Sequence, residues 1–416
     1  MRKRFAVVIT SLAATLLAAA AAPTVAQATV VPVHAAQAIP AIPSVSELFD
    51  GDTCYPANGG LTFECVAVGS FAHFGVHALG DVWQPTFTIW SGYYPQDATT
   101  KNLVTAPTAV SCVASNECLV VGEHFSNARY PVQLVEGPTK QCSCPLGIVS
   151  QKNPVGSTWS VLQDVSCTAG IFCMTVGKAG TTRRTSHGLV YISHATAYTW
   201  NGTKLTKLTV PAPAHSRGSE LAGVACASAT TCLAVGNYTS ATGKWRTYSA
   251  AWNAGTWKLA RALTVSGKTF TTFQDVSCPS PSVCVAVGVA SRPGSRPFAE
   301  TWNGSAWQKS PMPSELRAGL TGVSCPATNA CVATGFHGNR SLIEAWNGTT
   351  WVVQKSPDTR APFTGDNLLH VSCVTAAECV AVGFRYNPRV LPRRRQLLTL
   401  AEYWNGTSWK ITRTYL

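Results

Sequence analysis

Six residues before a recurring tryptophan position the chain repeatedly places arginine. Arg129, Arg246, Arg296 and Arg340 hold the position, His194 holds it once, and Gln84 and Leu398 fill the other two copies. A guanidinium is planar, permanently charged and forks onto carboxylate or phosphate. Arginines repeated around one end of a molecule could therefore grip an anionic ligand. A second concentration, Arg385, Arg389, Arg393, Arg394 and Arg395, sits in a stretch stiffened by Pro388 and Pro392 and breaks the repeat. Of these, Arg385, Arg393, Arg394 and Arg395 join the four repeated arginines as candidate ligand-binding residues. The competing reading is structural. Glu300, Glu344 and Glu402 lie two residues before the same tryptophan, where Arg–Glu ladders between repeats could form.

Cysteine is the other chemically active residue type, with sixteen copies. Fourteen fall into pairs: Cys54/Cys65, Cys112/Cys118, Cys167/Cys173, Cys226/Cys232, Cys278/Cys284, Cys325/Cys331 and Cys373/Cys379. Six pairs are spaced C-x₅-C, which is not the usual zinc spacing, and few histidines stand nearby. A disulfide staple in each repeat is the expected state. Cys142 and Cys144 are left over, in an insertion spanning roughly 138–157. A tight disulfide, a soft-metal site and thiol exchange all remain open for them, with the disulfide preferred. The histidines are dispersed. His124 and His337 share a repeat position, and a metal site borne on the repeats is the chemistry they would offer. No G-x-S-x-G, H-E-x-x-H, Walker or dinucleotide fingerprint is present. The sequence therefore assigns no catalytic residues, no metal and no cofactor.

These residues ride on a repeat of about 50 residues. After each second cysteine runs an apolar tail ending in glycine, at Gly69, Gly122, Gly177, Gly236, Gly288, Gly335 and Gly383. The second cysteines recur 47 to 59 residues apart. A W-N-G-x-x-W signature follows at Trp302–Trp307, Trp346–Trp351 and Trp404–Trp409, with variants at Trp252–Trp257 and Trp200-Asn201-Gly202. The first copy reads Trp90-Ser91-Gly92, and Trp159 is taken to close the second. Each unit reads as four strands: one ending at the first cysteine, the tail, one leading into the first tryptophan, and one starting near the second. A two-residue Asn-Gly turn would pair Trp404 with Thr407 and Glu402 with Trp409, leaving both indoles on one face. Asn201, Asn303, Asn347 and Asn405 match N-x-S/T, but turn chemistry explains them; Asn237 matches it as well. A lone four-stranded sheet cannot bury such faces, whereas stacking on a neighbour can. The expected fold is all-β, a seven-bladed β-propeller of four-stranded antiparallel blades. The blades span approximately 44–104, 105–161, 162–213, 214–268, 269–314, 315–364 and 365–416.

The order CVAVG, then AEYW-NG-TSW-K, resembles kelch-type propeller blades, including the central domain of galactose oxidase. Those blades carry a glycine-ended apolar second strand, an aromatic third strand, a turn, and a tryptophan opening the fourth. The resemblance covers nearly all of the chain after about Ser44. Two features depart from it: one glycine replaces the usual Gly-Gly, and each blade carries a disulfide. The hairpin is also similar to the Asp-box of sialidase-type propellers, with Asn in place of Asp. The copper-ligand pattern of galactose oxidase does not map onto this chain, so the resemblance implies the fold and not that activity.

Arg2, Lys3 and Arg4, an apolar run from Phe5 to Ala22, and Ala26-Gln27-Ala28 read as a cleaved signal peptide over 1–28, with an uncleaved anchor as the alternative. A Pro/Ala-rich lead over 29–43 follows, whose valines could add a strand to the last blade. Cleavage would lower the formal charge from +13 to +10. An exported basic chain with paired cysteines points to an oxidising, extracellular setting, with cell-envelope association open. The expected partners are an anionic glycan, an envelope polymer or a protein. Nucleic acid is a poor fit because the aromatics sit in hairpins rather than on a basic stacking stripe. A monomer without a stable membrane span is expected. The sequence thus favours a binding or scaffold protein. The alternative is a sialidase-, lyase- or oxidase-like enzyme with its site at the central funnel.

Overall fold

The computed structural model describes residues 46–412, apart from 58–61, 73–75, 85–88, 94–102, 115–116, 127–130, 138–146, 151, 171, 187, 261, 264–269, 292–293, 314–315, 358–364 and 388–395. The signal peptide, the lead segment, Arg129, Arg389, Arg393, Arg394, Arg395, Cys142 and Cys144 lie outside the described residues.

Every regular element among the described residues is a strand, and the strands pair in runs of four. The first sheet is β1 (Ser46–Ala57), β2 (Thr62–Ala72), β3 (Val76–Gln84) and β4 (Ile89–Tyr93). The second is β5 (Leu103–Cys112), β6 (Cys118–Ser126), β7 (Val132–Gly137) and β8 (Gly147–Ser150). The third is β9 (Trp159–Thr168), β10 (Phe172–Thr185), β11 (Gly188–Trp200) and β12 (Leu205–Leu208). Next come β13 (Gly218–Ser228), β14 (Thr231–Thr239), β15 (Trp245–Asn253) and β16 (Thr256–Ala260). These join β17 (Phe270–Ser280), β18 (Val283–Ser291), β19 (Arg296–Trp302) and β20 (Trp307–Ser310) in an eight-stranded sheet, through one parallel pairing, Trp245 with Phe270. Then follow β21 (Ala318–Ala327), β22 (Ala330–His337), β23 (Arg340–Trp346) and β24 (Trp351–Gln354). The last sheet is β25 (Asp366–Thr375), β26 (Glu378–Asn387), β27 (Gln396–Trp404) and β28 (Trp409–Thr412). All pairings within a run of four are antiparallel.

The leading strands pack side by side, β1 on β5, β5 on β9, β9 on β13, β13 on β17, β17 on β21 and β21 on β25, and β25 packs back on β1. That is the ring of a propeller, with the leading strands innermost. Apolar cores lie between successive runs. Leu233 and Val235 of β14 pack with Phe273, Val276 and Trp307 of the next run. Phe63, Cys65 and Ala67 of β2 pack with Val380, Val382 and Ala401 across the closing junction.

The cysteine pairs are disulfides as expected. Cys54–Cys65, Cys112–Cys118, Cys167–Cys173, Cys226–Cys232, Cys278–Cys284, Cys325–Cys331 and Cys373–Cys379 are each bonded, with Cα atoms 4.0–4.1 Å apart. Burial makes the second cysteine of most pairs part of the core. Cys65, Cys173, Cys232, Cys284, Cys331 and Cys379 are at most 4% exposed, so these sulfurs present nothing to a ligand. The reason is their position at the head of the apolar second strand, where the side chain enters the core between runs. Cys173 packs with Val165 and Trp200, Cys331 with Val323 and Trp351, and Cys379 with Val371 and Trp409. A bonded, buried half-cystine behaves as a small apolar core residue.

The hairpin register differs from the two-residue expectation. Trp404 lies opposite Trp409, and Glu402 opposite Ile411. The turn spans four residues because Asn405 Oδ1 accepts from Thr407 N at 3.1 Å, Thr407 Oγ1 at 2.8 Å and Ser408 N at 2.9 Å. An asparagine side chain that satisfies the turn's own amides outcompetes the tighter turn. Gly406, at φ 86°, supplies the left-handed step. The paired indoles sit 5.5–5.7 Å apart at the centroids. The second of each pair is buried, and three of them hydrogen-bond to the preceding run: Trp307 Nε1 donates to Ser249 Oγ at 2.7 Å, Trp351 Nε1 to Ser310 Oγ at 2.8 Å and Trp409 Nε1 to Gln354 Oε1 at 2.7 Å.

Two assignments in the irregular repeats are also corrected. In the first, Trp83 pairs with Trp90, so Trp83 is the leading hairpin tryptophan and Gln84 ends β3. In the second, Gly147–Ser150, read as insertion, supplies the fourth strand, and Trp159 opens the next run. Short β-poor segments hide such strands, because pairing rather than propensity holds them.

Candidate functional site

The tail glycines create the site indirectly. At Gly236 an added Cβ would lie 2.0 Å from the Glu220 carbonyl oxygen, and at Gly383 it would lie 2.1 Å from that of Asn367. The approach is this close because each inner strand bulges there. The register skips one residue between Phe49 and Gly51, Pro107 and Ala109, Leu221 and Gly223, Phe273 and Asp275, Leu320 and Gly322, and Leu368 and His370. Opposite Val176 and Gly177 it skips Gln163. A bulge turns the extra residue out of the ladder. Asp50, Thr108, Gln163, Ala222, Gln274, Thr321 and Leu369 therefore line an open pocket of about 320 Å³ at the ring centre, together with Asp164, Asp275 and His370.

After three of the bulges the next residue ties neighbouring runs together. Asp164 Oδ1 accepts from Val165 N at 2.7 Å, and its Oδ2 accepts from Val224 N of the next run at 2.6 Å. Asp275 does the same with Val276 N at 2.7 Å and Val323 N at 2.8 Å. His370 Nδ1 meets Asp52 Oδ1 at 2.7 Å across the closing junction, and its Nε2 lies 3.7 Å from Asp275 Oδ2. Between these larger residues stand Gly223, Gly322 and Gly51. An added Cβ at Gly322 would lie 2.8 Å from the His370 Cα. Large and small side chains thus alternate so that the inner strands can converge.

Burial governs the charges. It pushes Asp164 up to about 7, helped by the charge of Asp275, and it raises Asp275 as well. Burial and then Glu123 lift Asp50 to about 7. Burial alone would pull the His370 imidazole down. The hydrogen bond to Asp52 and the charges of Asp275, Asp52 and Asp164 outweigh it and lift it to about 9. The acceptor oxygens of Asp164 and Asp275 are occupied by backbone N–H groups, so these carboxylates act as inter-run clasps. Asp50 and the two glutamines carry the pocket's remaining polar chemistry, hydrogen bonding and proton exchange near neutrality. Among the described residues no group of three or more His, Cys, Asp or Glu could hold a metal ion.

A second clasp uses the serine of V-S-C. Ser111, Ser166, Ser277, Ser324 and Ser372 each accept, at 2.8–3.0 Å, the N–H of the first cysteine of the following run; Ser372 accepts it from Cys54 and so closes the ring. Neither clasp was recognised in the sequence. The signal is the recurring V-S-C string, preceded by Asp164, Asp275 or His370 where the first clasp forms and by Ala109 or Gly322 where it does not.

The expected arginines do not converge on this pocket. Arg296 and Arg340 open β19 and β23, and Arg246 is the second residue of β15. Their register matches: each lies two residues before the partner of the tail glycine (Tyr248, Phe298 and Leu342). Arg340 is exposed, and the other two are half-buried. Arg385 differs, since it sits on β26 opposite Asp366, where burial pulls its pKa down and the Asp366 charge opposes that. Two of the recurring glutamates have backbone or hydroxyl partners. Glu300 Oε2 accepts from Leu263 N at 3.1 Å, and Glu402 from Ser356 Oγ at 2.9 Å. Burial lifts Glu300 to about 7.

No protein-family model matches the chain, and no curated protein matches it. Solved structures do. An ulvan lyase, a polysaccharide lyase bound to -[GlcA(1-4)Rha3S]-, is similar at a TM-score of 0.55 and 10% identity over 89% of this chain and 96% of that one. YCF48 bound to D1 peptide is similar at 0.48 and 12%, over 87% and 94%. The six-bladed fucose-binding lectin of Aleuria aurantia is similar at 0.41 and 11%, over 88% and 95%. At such identities the likeness speaks to fold, and the chain is an all-β propeller of four-stranded antiparallel blades stapled by disulfides.

Proposed function

We propose that the chain is a secreted, kelch-like propeller of seven blades that binds an anionic carbohydrate chain on the end where second and third strands connect. The count of seven is supported by taking the eight-stranded sheet as two blades bridged at Trp245 and Phe270. The observation that carries the ligand reading is the recurrence of Arg246, Arg296 and Arg340 at one register in successive runs. Stacked sheets lie about 10 Å apart, so these guanidiniums form a ladder suited to charges repeated along a polymer. Blade disulfides fit an oxidising compartment. Fold likeness to a saccharide-bound lyase agrees with the ligand class without assigning an activity.

The test is titration of the full chain with polygalacturonate, dextran sulfate and neutral dextran at low and high salt. Salt-sensitive binding of the two polyanions is expected, weakened at least tenfold in an Arg246→Ala/Arg296→Ala/Arg340→Ala variant. Equal binding by that variant would overturn the reading. One observation favours an enzyme instead: Asp50, poised near pH 7, shares the central pocket with His370. Depolymerisation of the polyanion that disappears in Asp50→Asn would establish that alternative.

A further inference from the structure

The third run differs from its neighbours in shape and in charge. β10 extends eight residues beyond its tail glycine, Gly177, whereas the other second strands extend two to four. β11 pairs with it out to Thr185 and Gly188. The extra pairs carry this hairpin about 13 Å past the ring, at 3.3 Å per residue. Between Asp164 and Glu220 the chain has no Asp or Glu but has six basic residues, Lys178, Arg183, Arg184, Lys204, Lys207 and Arg217. Lys178 is neutralised by Glu220 at 2.7 Å. Arg183, Arg184, Lys204, Lys207 and Arg217 are exposed.

One face of this arm is built around an aromatic. Tyr191 pairs with Thr182, and Arg184 follows two residues along, so Tyr191 and Arg184 share a face as diagonal neighbours about 7 Å apart. Tyr191 is 59% exposed, yet its ring is held edge-on by the buried Trp159, with centroids 6.3 Å apart at 72°. Gly180 makes room for that indole, since a Cβ there would lie 2.8 Å from Trp159 Cζ2. A positioned tyrosine offers an apolar plate with a wet edge. A neighbouring guanidinium offers a fork for carboxylate or sulfate.

We propose that the β10–β11 arm is a second acidic-sugar site, with Tyr191 stacking on a sugar ring and Arg184 taking that sugar's carboxylate or sulfate. This rests on the polyanion-binding reading and names a different surface from the arginine ladder. The probes are polygalacturonate for carboxylate, dextran sulfate for sulfate, neutral dextran, and an oligothymidylate as a non-sugar-reading polyanion. Tyr191→Ala and Arg184→Ala should each weaken binding of the acidic polysaccharide at least fivefold, and Arg184→Ala should leave the melting temperature unchanged because its side chain is exposed. Tyr191→Phe should bind as the unaltered chain does. Neutral dextran and oligothymidylate should bind at least tenfold more weakly. If the unaltered chain binds no polyanion, the functional reading itself fails and the arm with it. If it binds and neither alanine variant weakens it, the arm proposal alone is overturned. Loss in Tyr191→Phe would overturn the stacking role, and equal affinity for oligothymidylate would overturn sugar recognition.

Discussion

At the residue scale, the V-S-C serine shows how one hydroxyl is used repeatedly. Each of the five V-S-C serines accepts the N–H of the first cysteine of the next run, so the bond crosses between runs. Ala225 breaks the series, being the residue before Cys226 in V-A-C. Its side chain is buried and lies in the cluster shared by β13, β14 and the following run. Ala225→Ser should therefore supply an acceptor for the N–H of Cys278. A net hydrogen bond is worth about 1 kcal/mol, so the variant should melt higher in calorimetry. A lower melting temperature would mean that the pocket around Ala225 cannot take the hydroxyl.

At the element scale, the disulfide and the Trp pair address different weaknesses of a short four-stranded sheet. The second cysteine sits opposite the first hairpin tryptophan, as Cys232 does opposite Trp252, Cys284 opposite Trp302, Cys331 opposite Trp346 and Cys379 opposite Trp404. Burying an indole removes about 200 Å² from water, worth at most about 5 kcal/mol. Closing a seven-residue loop contributes about 2 kcal/mol by restricting the unfolded chain. Packing is the larger effect, and the staple adds to it. The double variant Cys226→Ala/Cys232→Ala should accordingly keep its far-ultraviolet circular dichroism and lose at least about 2 kcal/mol in denaturant unfolding. Loss of the folded spectrum would show that the bridge directs folding and does more than stabilise the product.

At the scale of the whole molecule, the closing junction is the one place where adjacent runs are not consecutive in sequence. It is held by the Phe63–Val380 cluster, by Cys54 N on Ser372 Oγ at 2.8 Å, and by His370 on Asp52. The groups facing His370 are Asp52, Asp275 and Asp164. The His370 pKa rises from an ordinary 6.5 to about 9 on folding. Its stabilisation is thus fully present below pH 6.5 and is lost as pH rises through about 9. Melting temperature should fall between about pH 7 and 10, and His370→Gln should melt lower at neutral pH with that slope removed. A slope unchanged in the variant would place the titrating group elsewhere.

What the sequence determined by itself was periodic. Alternation, cysteine spacing and the hairpin tryptophans recur from repeat to repeat, so one correct reading of a unit propagates around the chain, and the staples and four-stranded runs follow from it. Local competition blurred the details: the Asn405 carboxamide reset a turn, and β8 and Trp159 lay where the repeat is interrupted. Spacing paired Cys173, Cys331 and Cys379 with their partners, but only the stacking of runs decided that these sulfurs are core. The clasps were written in the sequence as Asp164, Asp275, His370 and the V-S-C serines, but their partners lie 48 to 318 residues away. Only closure of the ring reveals such pairings. The same holds for the arginines, which share a register by sequence. Tertiary structure decided that none of the described ones lines the central pocket, because the inner strand of each run, and not the third, reaches the centre.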